Sequence, residues 1–225
     1  MPRPSPSTAA LPAGPLDPRA QRPGRRFGPG SAWGTWGLGT AALLLLCAWT
    51  LGLSPDVDSV RLQIRATARS SLCFFLLAYV ASSWRILHPG RFSDWLRQRR
   101  RQWGLLFATS HALHAAGLVV LHHMASPALW AQLTSLPSWI LGGSGYLVLT
   151  LMALSSHDAA VRALGPARWS RLHRLGLHGL WTLFLLSCAK RVGGDPFYLL
   201  PVSLLLGALA ARLWAHLLKR RGSSL

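Results

Sequence analysis

Apolar residues run through this chain in long blocks, separated by short polar or basic stretches. Six blocks approach or exceed the roughly 20 apolar residues that a helix needs to cross a bilayer. They cover 32–53, 70–87, 103–123, 138–156, 172–189 and 196–217. Neither strand alternation nor the one-sided stripe of a soluble amphipathic helix accounts for blocks of this length. The pattern predicts an all-α integral membrane protein built as a six-transmembrane-helix bundle. Tryptophans stand near the block ends (Trp33, Trp84, Trp103, Trp139, Trp169, Trp214), as in an interfacial belt.

The first 30 residues read differently. Pro2, Pro4, Pro6, Pro12, Pro15, Pro18, Pro23 and Pro29 alternate with Arg, Ser and Gly and offer no core. Residues 1–31 are expected to be disordered, 32–218 to form the six-helix domain, and 219–225 to be a basic cytoplasmic tail. Arg25-Arg26 matches a twin-arginine signal poorly, so the first block is read as a retained span.

Basic residues set the orientation. Arg19, Arg22, Arg25 and Arg26, then Arg91 and Arg97 to Arg101, then Arg162, Arg168 and Arg171, then Lys219 to Arg221 all fall on one side of a six-span chain. Asp56, Asp58, the uncharged stretch 124–137 and Asp195 fall on the other, with Lys190 and Arg191 as exceptions. The positive-inside rule puts both termini in the cytoplasm. The expected location is the bacterial inner membrane and the expected surround is lipid.

The net charge of +18 and the 6 acidic residues, none of them Glu, sharpen this picture. Such a charge suits nucleic acid, but here it gathers at block ends, as topology requires, so no nucleic acid is expected. The 3 cysteines, Cys47, Cys73 and Cys188, lie in separate blocks and form no CxxC pair; packing is their simplest role. Arg61, Arg65 and Arg69 stripe one helical face before the second span. That stripe reads as an interfacial ramp, or as a patch for lipid phosphate, haem propionate or a quinone head group. A transporter or lipid-handling protein using that face is a further alternative.

The candidate chemistry lies in histidines. An ionisable group at membrane depth marks a function by default, and imidazole is the usual haem ligand. His111 and His114 share a face, roughly 12–17 Å into the third block counted from Trp103. His173 and His178 lie in the fifth block, about 140° apart on the helix. Counted from Trp169, His178 matches the depth of the third-block pair. Ligation competes with plain interhelical hydrogen bonding at all four. His122, His123, His88, His157 and His216 sit at block ends and read as interfacial. Gly142-Gly143-Ser144-Gly145 serves close packing, or makes room for a flat cofactor. No carboxylate lies inside a block, and no phosphate loop, GxGxxG turn or HExxH is present.

Arg100-Arg101-Gln102-Trp103-Gly104-Leu105 leading to Leu113-His114 resembles the third span of the ferric reductase-like transmembrane family. So do Leu151 to Ser156, Ala163-Leu164-Gly165-Pro166 and Trp169-Ser170-Arg171-Leu172-His173-Arg174-Leu175 further on. The likeness covers about residues 35 to 217 and is nearest to the haem-binding membrane subunit of the methionine sulfoxide reductase system. The resemblance implies haem b held by spans three and five, with His114 and His173 as axial iron ligands. It implies electrons passing across the membrane from a cytoplasmic flavin reductase or quinol to a periplasmic oxidoreductase. Quinone or flavin would enter through a partner. The family's second span-five histidine, 13 residues on, is Leu186 here. One haem at most is therefore expected, with His111 and His178 as alternative ligands. A haem-free scaffold or partner subunit that keeps the fold is the alternative.

Overall fold

The computed structural model describes residues 29–221 and is all-helical across them. The elements are α1 (Pro29–Leu51), α2 (Val57–Leu87), α3 (Arg91–Gln98), α4 (Arg100–Met124) and α5 (Pro127–Leu133). Then follow α6 (Leu136–Leu154), α7 (Asp158–Leu164), α8 (Pro166–Ala189), a 3-10 turn (Pro196–Tyr198) and α9 (Leu199–Arg221). Residues 1–28, expected to be disordered, and the last residues of the tail, 222–225, lie outside the described residues.

Local chemistry sets the boundaries. Gly52, at φ 64, ends α1. Asp56 caps α2 by accepting the Ser59 amide at 2.7 Å, while Ser59 Oγ accepts the Asp56 amide at 2.8 Å. That carboxyl lies outside the apolar stretch, and the Ser59 amide and hydroxyl hold it below the ordinary carboxylate range. Ser126 and Ser135 cap α5 and α6, each followed by proline in the first turn. Gly165, at φ 77, separates α7 from α8, and Pro166 opens α8.

Three boundaries differ from expectation. Helix α1 starts at Pro29, inside the segment expected to lack structure. Helix α2 is one rod of 31 residues that begins at Val57 rather than near residue 70, and Arg61, Arg65 and Arg69 stand on it. Continuous capping at Asp56 and the absence of Gly or Pro between 57 and 87 allow this. Lys219 to Arg221 complete α9 instead of forming a separate tail.

Five of the long helices (α1, α2, α4, α6, α9) are long and apolar enough to cross a membrane. Helix α8 has comparable length, 24 residues, but opens with Arg168, Arg171, His173 and Arg174 and falls outside that set.

Helix α2 is the hub. It packs on α1, α4 and α9, while α8 packs on α6 and α9. The larger core cluster joins Phe75 and Tyr79 of α2, Phe107 of α4, Leu149 of α6, Leu177 and Leu180 of α8, and Leu205 and Ala208 of α9. The seam between α2 and α4 is partly polar. Ser110 donates to the Thr67 carbonyl at 2.9 Å and lies 2.9 Å from the Ser70 hydroxyl. Such small hydroxyls let two helices approach closely and bond across apolar surroundings.

Candidate functional site

His111 and His114 lie on the α4 face that meets α2. Their rings stack at 5.4 Å with 23° between planes. His114 Nδ1 is 2.9 Å from the Ile64 carbonyl. A carbonyl only accepts, so Nδ1 carries the proton in neutral His114 and the Nε2 lone pair is free. His111 Nδ1 lies 3.3 Å from Ser71 Oγ, whose own proton goes to the Thr67 carbonyl at 2.7 Å. The same logic leaves His111 with a lone pair on Nε2. Tyr146 of α6 packs against the His111 ring at 4.8 Å, and Phe184 of α8 at 6.1 Å. Both α4 imidazoles are thus oriented by one nitrogen and present the other, the usual arrangement of a histidine ligand.

The α8 histidines have other partners. His173 Nε2 lies 3.0 Å from Ser155 Oγ, which donates to the Leu151 carbonyl at 2.7 Å. That assigns the His173 proton to Nε2 and the lone pair to Nδ1. Trp169 stacks on the same ring at 4.3 Å. His178 Nδ1 is 3.4 Å from the Tyr79 hydroxyl.

Helix α2 acts as a ruler between the two sets. His111 bonds Ser71 and His178 bonds Tyr79, about two turns or roughly 12 Å apart along α2. His114 bonds Ile64, roughly 22 Å from the Tyr79 level. Counting from Trp103 and Trp169 put His178 level with the α4 pair; the packing puts Phe184 there instead. The two tryptophans fail as matching depth marks because Phe184, well beyond His178 in α8, is the residue that packs on Phe107 and His111 of α4. One iron does not meet both His114 and an α8 histidine in this arrangement.

Around His178 stands a second group of side chains that the pattern of blocks did not single out. Arg212 of α9 donates from Nη1 to the Tyr79 carbonyl at 2.8 Å, with its guanidinium 4.5 Å above the Tyr79 ring. Tyr79 is wholly buried beneath it. Arg100 Nη1 is 3.3 Å from Ser82 Oγ. Ser82 and Tyr79, the α2 partners of Arg100 and Arg212, are one helical turn apart, and Tyr79 also meets His178. Among the described residues the ion pairs are Arg61–Asp58, Arg85–Asp94 and Arg101–Asp158, and none involves Arg100 or Arg212. Arg212 was visible as an ionisable residue inside the sixth apolar block, which by itself marks a candidate site.

Haem b offers an iron that takes imidazole and two carboxylates that take cations. Imidazole, and guanidinium with no ion pair among the described residues, both occur where α2, α4, α8 and α9 converge, with Phe75, Leu177 and Leu180 as apolar wall. The residues fit the group in kind. Other expected features do not join the site. Arg61 pairs with Asp58 and Arg69 lies 4.8 Å over Phe197. Of the α6 glycines only Gly145 approaches another helix, at Leu183, while Gly142 and Gly143 face open space. Cys47 and Cys188 are buried and Cys73 is exposed.

No family model matches the chain, and no solved structure matches it. Curated relatives do. The protein-methionine-sulfoxide reductase heme-binding subunit MsrQ of Polaromonas naphthalenivorans is 29% identical over 80% of this chain and 81% of its own. That of Azospira oryzae is 33% identical over 50% of this chain and 51% of its own. That of Deinococcus radiodurans is 29% identical over 66% and 70%. The chain is similar to MsrQ. The name of each MsrQ describes a heme-binding subunit of a methionine sulfoxide reductase, and the similarity to the first spans most of both chains.

Proposed function

We propose that this chain is an MsrQ-like member of the ferric reductase-like family: an integral membrane subunit that binds haem b and passes electrons across the bilayer to a redox partner. The fixed tautomer of His114 carries the reading. Its Nδ1–H is held by the Ile64 carbonyl, and its Nε2 lone pair stands free inside an apolar helix. We assign His114 and His173 to haem iron, with His111 and His178 as alternates; the α4 and α8 imidazoles stand at separate levels here, so sharing one iron requires α8 to shift along α4. When bound, haem supplies one-electron chemistry. The protein's part is to orient imidazole through Ile64, Ser71 and Ser155, and to keep water out with Phe75, Phe107 and Phe184.

In this reading α8 completes six spans and both termini face the cytoplasm of a bacterial inner membrane. Its basic opening then sits at the cytoplasmic interface, where Arg side chains reach the head groups. The donor is a cytoplasmic flavin reductase or quinol, and the acceptor a periplasmic oxidoreductase.

Absorption spectra of His114→Ala and His173→Ala test the assignment. Ligands of one iron lose the same whole band on either substitution, and that outcome requires α8 to slide along α4. Ligands at separate levels each leave a residual band. Spectra unchanged in both variants refute the assignment. The second reading, a haem-free scaffold, draws on Phe184 and Tyr146 packing directly against His111. It predicts no Soret band after expression with ample haem, and partner capture unchanged by the double substitution.

A further inference from the structure

Helix α9 leaves part of α2 uncovered. Arg212 of α9 meets Tyr79 of α2, and Phe197, in the 3-10 turn before α9, lies 4.8 Å under the Arg69 guanidinium. Helix α2 begins at Val57, so about three of its turns rise beyond the 3-10 turn. Arg61, Arg65 and Arg69 share one face of those turns, and Arg65 and Arg69 are exposed. Across the 3-10 turn, the exposed Arg191 lies 5.7 Å over Tyr198, next to Lys190. Topology does not account for these cations. Arg91 to Arg101, Arg162 to Arg171 and Lys219 to Arg221 gather at one end of the bundle, as the positive-inside rule requires. The start of α2 and the α8–α9 connection lie at the other end. Asp58 there answers Arg61 alone, and Asp56 and Asp195 are taken up as caps. Arg65, Arg69 and Arg191 make no ion pair among the described residues.

The geometry selects the ligand. Arg65 and Arg69 are one turn apart, about 6 Å along α2, close enough to serve one phosphate. A guanidinium laid on a ring has its face occupied and its N–H edge free. Phe197 therefore holds Arg69 with that edge presented, and Tyr198 holds Arg191 in the same way. Guanidinium edges match phosphate oxygens in pairs. Leu200 and Leu204 follow Phe197 at helical spacing, so they continue its side of α9, and both are exposed. Cations above interfacial rings above bare leucine repeat the layering of a phospholipid, from phosphate to acyl chain. We propose that Arg65 and Arg69, with Arg191, bind the phosphate of an anionic phospholipid whose acyl chains lie along Leu200 and Leu204. The site is separate from the histidines and does not depend on haem.

Native mass spectrometry of the full-length protein in detergent, titrated with dioleoyl phosphatidylglycerol or dioleoyl phosphatidylcholine, tests this. Wild type should hold phosphatidylglycerol at least about tenfold more tightly, as expected for two or more cations beside an anionic head group. The double variant Arg65→Gln/Arg69→Gln should lose most of that preference, and Arg69→Lys should keep part of it. Arg65→Gln alone breaks no ion pair, so it should fold as wild type and still lose part of the preference. Arg97→Gln, at the opposite end of the bundle, should behave as wild type. Excess inorganic phosphate should leave the lipid bound; full displacement would make this a site for free phosphate and overturn the lipid assignment. A double variant that folds and keeps the wild-type preference refutes the proposal, as does a wild type that takes both lipids equally. If that wild type instead captures a glutamate-rich peptide that the double variant loses, the surface belongs to an acidic protein partner. None of these readings uses haem, so their failure leaves the haem-binding reading intact.

Discussion

Replacing Gly117 with alanine puts a methyl carbon where the Gln63 side chain already stands. The new carbon would lie 2.8 Å from Ile64 Cγ1 and 3.1 Å from Gln63 Cδ, and closer still to Gln63 Oε1. Gln63 is only 4% exposed, so it has no room to swing into solvent. Its Nε2 donates to the Leu113 carbonyl at 3.0 Å, and moving away breaks that bond. Overpacking a tight seam costs about 1–3 kcal/mol, and an interhelical hydrogen bond in apolar surroundings adds roughly 0.6 kcal/mol. Gly117→Ala should therefore destabilise the protein by about 2–3 kcal/mol. Reversible unfolding by SDS in mixed micelles measures it. Gln63 supplies the closest clash, so the cost should fall in a Gln63→Ala background, to the share that Ile64 Cγ1 at 2.8 Å still imposes. A cost near zero in the wild-type background, or one that is the same in both, would refute the reasoning. Ile64 also holds His114, so the single variant should broaden or shift any Soret band, and the double variant should do so less.

Other perturbations follow from single contacts. Gly165→Ala forces a side chain into φ 77, ψ 153, a conformation suited to glycine, and should cost about 1–3 kcal/mol in the same SDS assay; an unchanged midpoint would contradict this. Ser110→Ala removes the bonds to the Thr67 carbonyl and the Ser70 hydroxyl and should cost about 1–2 kcal/mol; stabilisation would sink the seam argument. Asp56 has a carboxyl lowered by the Ser59 amide, so its contribution is complete above the unfolded carboxylate value of about 3.9 and fades as pH falls through the lower folded value. The Ser59 amide resonance should move over that acid range in wild type and stay flat in Asp56→Asn; equal movement in both would exclude the cap as its source.

The long helices were legible because apolar blocks of bilayer length leave few alternatives. The start of α2 was not, since Arg61, Arg65 and Arg69 read as an interface, while the Asp56–Ser59 cap extends the helix beneath them. The short α3, α5 and α7 hid in stretches that read as loops, where capping serine and proline decide more than hydropathy does. Within the site, the shared face of His111 and His114 followed from a three-residue spacing. Their relation to His173 and His178 did not, because the register between α4 and α8 is set by Phe107, Phe184 and Tyr79 packing across three helices. Arg212 went unread because a lone charge near a basic end looks like topology until Tyr79 is found under it.

The absorption spectrum of the purified full-length protein, made with ample haem and then reduced, tests the central claim most directly. The account predicts a Soret band that shifts on reduction, sharp visible bands of a low-spin haem, and a weakened spectrum in His114→Ala. A protein that folds, stays monodisperse and shows no Soret band would contradict it.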